Sequence, residues 1–201
     1  MLLLIAEYLG IAAFALSGFY IGVRERLDLL GIYLSAFLTA LGGGILRDLL
    51  AGRTPRSLTD PAPTLTVLAV TTFLIARRMH RHTAVDSKRL FVFVDALGMV
   101  SFAVSGASVA LASGFNAAGV TLLAFTTAVG GGILRDVLIN KIPYVLHGGF
   151  YGIIAIAVGL ALWLLHKIGW ANDATLTLLF LGGVLLRMLA YTRRWELPRL
   201  S

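Results

Sequence analysis

Ala40–Leu50 reads ALGGGILRDLL, and Ala128–Leu138 reads AVGGGILRDVL. Both copies lie inside long apolar stretches, and in both an Arg-Asp pair follows the glycines within a turn. Each glycine costs a helix interior about 1 kcal/mol relative to alanine. Three in a row therefore predict a kink or an unwound turn in each stretch. In a membrane, interrupted helices at corresponding positions of two halves point to a substrate or ion site.

The repeat extends well beyond the motif. A shift of 88 residues pairs Leu9, Gly10, Phe14, Ala15, Ser17 and Gly18 with Leu97, Gly98, Phe102, Ala103, Ser105 and Gly106. The same shift pairs Gly31 with Gly119, Phe37 with Phe125, Thr39 with Thr127 and Pro55 with Pro143, without a gap. Identity at this density reads as duplication.

Composition fixes the class. Of 201 residues, 58% are hydrophobic and only 13% charged, and the mean hydropathy is +0.88. Soluble domains carry about 25% charged residues, and here the charges cluster between apolar runs. The chain reads as an integral membrane protein. The net charge of +7 is explained by a positive-inside bias and by anionic lipid headgroups, without nucleic acid. There are no cysteines, which excludes disulfides and thiolate metal sites. The N-terminus lacks the basic n-region and cleavage site of a signal peptide, so its first apolar run is expected to be a retained helix.

Seven stretches approach the about 20 apolar residues needed to span the hydrocarbon core: Leu2–Val23, Leu29–Ala51, Ala62–Ala76, Phe91–Ala112, Ala117–Ile139, Gly148–His166 and Ala174–Tyr191. The third is short and led by Pro61 and Pro63. The expected fold is an all-α integral membrane protein with seven transmembrane helices in a single membrane domain spanning residues 1–201. Repeat one covers about 1–84, repeat two about 89–166 and the seventh helix about 174–192. Three spans per unit are an odd number of crossings, so the second unit must enter from the opposite side, making an inverted 3+3 repeat plus one extra helix. One set of loops holds Arg24, Arg26, Arg77, Arg78, Arg81, Lys88, Arg89, Lys141, Arg193, Arg194 and Arg199, whereas the other holds only Arg53, Arg56 and Lys167. The basic side is expected to be cytoplasmic, with the N-terminus outside and the C-terminus inside. The basic loop Arg77–Arg89 is expected to anchor that topology, with a phosphoinositide-like headgroup site as the alternative.

Ionisable residues at membrane depth mark function or structural pairing. At 1.5 Å per residue, Arg47 lies roughly 6 Å inside the outer end of its span. Glu7 lies at similar depth in the first span. Asp95 and Arg135 repeat the arrangement in spans four and five. Burial is costly unless charges pair, so the sequence predicts Glu7–Arg47 and Asp95–Arg135 neighbourhoods, with Asp48 and Asp136 as competing partners. Two readings stay open, a gate at each mouth or structural pairs that lock neighbouring spans. Ser101, Ser105 and Ser108 share one face of span four, and Ser17, Thr39 and Thr127 also carry hydroxyls at depth. These can line a water path or bond to their own helix. Gly18, Gly22, Gly182 and Gly183 fit close helix packing. Arg187 is expected to snorkel to headgroups. His80, His82, His147 and His166 fall near span ends, without metal-ligand spacing or a catalytic arrangement. No enzyme chemistry and no cofactor is expected.

Two GGGILRD motifs in a seven-span chain with three-span repeats resemble the prokaryotic relatives of the trimeric intracellular cation (TRIC) channels, also labelled a YadS-like or glycine-transporter family. The resemblance covers essentially the whole chain. It implies a homotrimer with one pore through each protomer, conducting monovalent cations, mainly potassium. It also implies that the glycine motifs break the second and fifth helices where these cross and line the pore. By motif, the implied pore positions are Gly42, Gly43 and Gly44, and Gly130, Gly131 and Gly132, with Thr39, Thr127, Ser101 and Ser105 as nearby hydroxyls. Arg47, Asp48, Arg135 and Asp136 match the charged tail. Animal members carry a lysine-glutamate variant linked to phosphoinositide binding, and this chain departs from it. The implied partners are further copies of the chain, membrane lipids, and potassium or sodium ions in an inner membrane. The rival expectation is a secondary transporter for a small amino acid such as glycine, with a half-helix N-terminus holding the carboxylate.

Overall fold

The computed structural model describes residues 2–79, 88–147 and 150–198. Among them the chain is all helical, with eight α-helices: α1 (Leu2–Arg24), α2 (Leu29–Leu50), α3 (Arg56–Thr59), α4 (Pro61–Ala76), α5 (Lys88–Ala112), α6 (Ala117–Leu138), α7 (Tyr151–Lys167) and α8 (Asp173–Thr192), plus a 3-10 turn at Tyr144–Leu146. Each of the seven apolar stretches folds as a helix, with ends within three residues of those expected from sequence. Gly148, the expected start of the sixth, lies outside the described residues, as do His80, Arg81 and His82. The short α3 carried no hydrophobic signal. Helices α1, α2, α5, α6 and α8 are long and apolar enough to cross a membrane, whereas α4 and α7 are shorter apolar helices of 16 and 17 residues.

Local chemistry sets the helix ends, and it repeats with the sequence. Asp28 caps α2 by accepting from the Gly31 N–H at 2.7 Å, and Asn116 caps α6 by accepting from Gly119 at 2.9 Å. These side chains satisfy amide donors that a helix start leaves unpaired. Four of the left-handed turn residues also come in pairs 88 apart, Arg26 with Gly114 and Gly52 with Asn140.

Packing follows the same register. Helix α1 packs on α2, α4 and α5, and its counterpart α5 packs on α6, α7 and α1, so equivalent helices occupy equivalent places in the two halves. Residues 88 apart meet where the halves touch: the Phe14 and Phe102 rings lie 5.1 Å apart between α1 and α5. Arg47, near the end of α2, reaches Glu7 in the first turns of α1. Lys141, just past α6, reaches Glu25 at the other end of α1. The C-terminal ends of α2 and α6 thus lie at opposite ends of α1. Helix α8 stands outside this symmetry and packs on α5 and α7.

The expected break at the glycine triplets is corrected by the structure, because α2 and α6 run as unbroken α-helix through Gly42–Gly44 and Gly130–Gly132. The glycines serve a close crossing instead. A Cβ on Gly43 would stand 2.1 Å from the Thr127 carbonyl oxygen, and one on Gly131 would stand 2.4 Å from that of Thr39. The two backbones interlock reciprocally, and no side chain fits between them. In lipid an unwound turn would leave amide groups without partners, so continuous helix is favoured wherever packing offsets the propensity cost. Thr39 and Thr127 turn their hydroxyls onto their own helices, donating to Ser35 O and Leu123 O at 2.6 Å each. Gly44 and Gly132 differ, since a Cβ there would meet nothing nearer than its own helix's arginine, at 3.9 and 3.7 Å.

The triplets therefore split by role. Gly43→Ala or Gly131→Ala is expected to lower the thermal midpoint of detergent-solubilised protein strongly, with a cost at or beyond the roughly 1–3 kcal/mol of ordinary overpacking. Gly44→Ala and Gly132→Ala are expected to hold or raise it through the about 1 kcal/mol gain in helix propensity.

Candidate functional site

The charged tail of each motif is built in the same way. Arg47 folds back over the open side of Gly44, and Arg135 over that of Gly132. The Asp48 carboxylate accepts from Arg47 Nε at 2.8 Å through one oxygen and from the Arg56 amide at 3.0 Å through the other. Asp136 likewise accepts from Arg135 Nε and Nη2, at 2.9 and 2.8 Å, and from the Tyr144 amide at 2.9 Å. Proline precedes both amide donors, at Pro55 and Pro143. Each aspartate thus ties a helix end to the following loop while neutralising the arginine beside it. All four side chains are buried, where an unpaired charge would be costly.

Around these tails lie two cavities at opposite ends of α1. The smaller, about 450 Å³, is lined by Glu7, Arg47, Asp48, Arg56, Ser105 and Ser108 among others. There Arg47 Nη1 donates to Glu7 at 3.2 Å and to Ser105 Oγ at 2.7 Å. Arg56 completes the group, pairing with Glu7 at 3.2 Å and Asp60 at 2.9 Å. The expected Glu7–Arg47 neighbourhood is present, together with the Asp48 partner. Arg56, which the sequence placed only in a loop, also belongs to it.

The larger cavity, about 890 Å³, is lined by Asp95, Arg135, Asp136, Arg187, Tyr151 and Thr39 among others. Arg135 pairs with Asp136 and donates to Thr39 Oγ1 at 3.2 Å. Asp95 shares the cavity with Arg135 but accepts from Ser17 Oγ at 3.2 Å, whereas Arg135 forms its ion pair with Asp136. The expected headgroup position of Arg187 is corrected. It is 3% exposed, donates to the Tyr144 hydroxyl at 3.3 Å and lies 4.9 Å over the Tyr151 ring. The side chain points inward because its face of α8 packs on α5 and α7 rather than on lipid.

The other sequence-chosen positions divide plainly. Gly132, Thr39, Ser17, Ser105 and Ser108 line a cavity. Gly42, Gly43, Gly130, Gly131, Thr127 and Ser101 are buried in helix contacts, and the Ser101 hydroxyl finds no hydrogen-bond partner among the described residues. Gly18 fits its packing role, since a Cβ there would strike the Ser35 carbonyl at 2.5 Å. The tyrosines of the larger cavity gave no signal in the sequence, although Tyr144 follows the paired proline.

Beyond the end of α1, the Lys141 ammonium hydrogen-bonded to Glu25 holds that carboxyl below the usual carboxylate range. A depressed value contributes stability above the unfolded pKa and loses it as pH falls through the lowered one. Glu25→Gln is therefore expected to reduce the acid dependence of the thermal midpoint. Glu7→Gln and Arg47→Met should each lower the midpoint at neutral pH, and the double variant should lose less than the sum. Additive losses in that cycle would show that the two side chains are energetically independent.

Comparison with known proteins agrees with this architecture. A family model described as "Glycine transporter" matches residues 4–80 and again 92–167, one match per repeat. The membrane protein YvgT of Bacillus subtilis is 34% identical over 197 residues, covering 96% of this chain and 94% of its own. The inner membrane protein YadS of Escherichia coli K12 is 32% identical over 158 residues, covering 77% and 74%. A structure solved to explain conductance through TRIC cation channels superposes with a TM-score of 0.86 at 36% identity, covering 98% of this chain and 96% of that one. On these matches, the chain belongs to the TRIC/YadS-like family of membrane proteins.

Proposed function

We propose that the protein is a channel for monovalent cations, chiefly potassium, conducting passively through a path in each protomer of a homotrimer in a bacterial inner membrane. The observation that carries this reading is the pair of charged cavities entering from opposite ends of α1 and separated by the α2–α6 crossing. Whole-chain likeness to a TRIC cation channel supports it, and the inner-membrane relative YadS supports the location. In this reading the seven apolar helices all cross the membrane, the two halves form an inverted repeat, and α8 is the extra helix. Arg24 and Lys141 lie at the larger cavity, so the positive-inside rule puts that mouth at the cytoplasm, with the N-terminus outside.

Arginines beside a cation path raise a barrier unless their charge is cancelled. Pairing of Arg47 with Asp48 and Glu7, and of Arg135 with Asp136, supplies the cancellation. Glu7, Asp95, Ser17, Ser105 and Thr39 then offer oxygens to a partly dehydrated cation. Gly44 and Gly132 leave the guanidinium groups room to move, so gating is assigned to displacement of Arg47 and Arg135 rather than to bending at the triplets. Lipid acts as solvent and seal, and the charged residues serve conduction and pairing rather than catalysis.

A second reading, a carrier for glycine, follows from the family description and from the guanidinium groups in the larger cavity, which suit a carboxylate. The two are separated by recording purified protein in a planar bilayer under a potassium gradient. Discrete current steps reversing towards the potassium equilibrium potential are expected. Electrical silence with saturable glycine uptake into proteoliposomes would instead establish the carrier.

A further inference from the structure

The two cavities are wedges related by the repeat. The larger opens between α1 and α6, with Ser17, Tyr20 and Ile21 on one wall and Gly132, Ile133 and Arg135 on the other. The smaller opens between α5 and α2, the counterparts of those helices, with Ser105 and Val109 on one wall and Arg47 and Asp48 on the other.

Each wedge is bridged at its rim from the loop that follows the motif. Lys141, just past α6, pairs with Glu25 at the end of α1. Arg53, just past α2, reaches Ser113 at the end of α5, its Nη2 donating to Oγ at 3.1 Å. Arg53 and Lys141 are 88 apart, and so are Glu25 and Ser113. The backbone beneath the bridges repeats as well. The Arg53 and Lys141 amides donate to Asp48 O and Asp136 O at 2.8 Å each, and the Glu25 and Ser113 amides to Ile21 O and Val109 O at 2.9 and 3.0 Å. One scaffold thus carries an ion pair at the larger mouth and a bond to a neutral hydroxyl at the smaller.

The wedges differ farther in. Arg47 crosses the smaller one, from α2 to Ser105 of α5, at 2.7 Å. Its equivalent Arg135 donates instead to Thr39 of α2, and the Ser17 hydroxyl of α1 goes to Asp95. The larger wedge therefore lacks the deep bridge among the described residues, and its volume is about 890 Å³ against about 450 Å³. Its rim contact does alone what two contacts share at the other end. One Glu25 oxygen accepts from Arg24 Nε at 3.2 Å and the other takes the Lys141 ammonium. The Glu25 side chain is only 18% exposed, so Arg24 holds the carboxylate against the helix end, and Lys141, on its loop, is the movable arm.

We propose that Lys141 and Glu25 form a latch across the mouth of the larger cavity, the ionic version of the Arg53–Ser113 contact, whose release lets α1 and α6 part and opens the cavity from that side. Its consequence for conduction rests on the channel reading, in which release raises the open probability.

The chain has no cysteines, so a single introduced thiol reports on each cavity. Ile133→Cys in the larger cavity and Val109→Cys in the smaller are made separately in full-length protein in lipid nanodiscs, and their reaction with a membrane-impermeant thiol reagent is timed. Glu25→Gln and Lys141→Gln are each expected to speed labelling at Ile133→Cys about two- to fivefold, the equilibrium shift that partly exposed ion pairs supply, while labelling at Val109→Cys holds. The charge swap of Glu25→Lys with Lys141→Glu should return the rate towards that of the parent. Unchanged labelling in the single variants would overturn the proposal. So would a swap that labels as fast as they do, or an equal rise at Val109→Cys, which reports general loosening. Single-channel recordings of the same variants without the reporter read the consequence. Open probability is expected to rise by a similar factor in both single variants and to fall back in the swap. Variants that label faster yet open no more often would overturn the gating role. A silent wild type would sink the channel reading instead, while the labelling rates still decide the latch.

Discussion

The structure depends on a backbone-to-backbone contact. At the α2–α6 crossing, Gly43 faces the Thr127 carbonyl and Gly131 faces that of Thr39, each at a distance that leaves no space for a Cβ. Apolar side chains gain little from leaving lipid for protein, so membrane helices associate through van der Waals packing and hydrogen bonds, and small residues at the contact determine how close they come. The closeness propagates outward. It brings Arg135 of α6 onto the Thr39 hydroxyl of α2 and sets the two charged helix ends on opposite sides of the crossing.

The second constraint is electrostatic. Charges cannot be left bare at membrane depth, and each Arg-Asp tail meets this within its own sequence, arginine to adjacent aspartate. The aspartate's other oxygen takes a backbone amide from the next loop. A pair that is local in sequence therefore fixes a connection that is not. Glu7 and Asp95 come from other helices and differ in partner, and this difference is where the two halves stop being copies.

Much of this was legible in the chain. Hydropathy located the helices, the offset of 88 located equivalent residues, and depth along a helix brought Glu7 to Arg47. The failures have physical causes. The triplets suggested broken helices because glycine propensity is measured in water, where a freed amide finds a solvent partner, and that option vanishes in lipid. Arg187 suggested a headgroup contact because its distance from the helix end was visible while the face it occupies was not. Helix α8 has no copy in the repeat, so no symmetry argument could place it. Arg56 and Tyr144 sit after proline in loops, where hydropathy is silent, and their shared role became visible only when both amides were found on equivalent aspartates.

Helices α4 and α7 occupy equivalent places in the two halves and have only 16 and 17 residues. At 1.5 Å per residue they reach about 24 to 26 Å, short of a hydrocarbon layer of about 30 Å. In the reading in which both cross, the surrounding bilayer must thin beside them or let headgroups and water dip inward, at a modest cost for each ångström of mismatch. With one such helix in each half, that reading has the insulating slab narrowed beside both halves of the protein. For the proposed channel, the distance over which an ion is held away from bulk water would then follow the shortest helices of the fold rather than its longest.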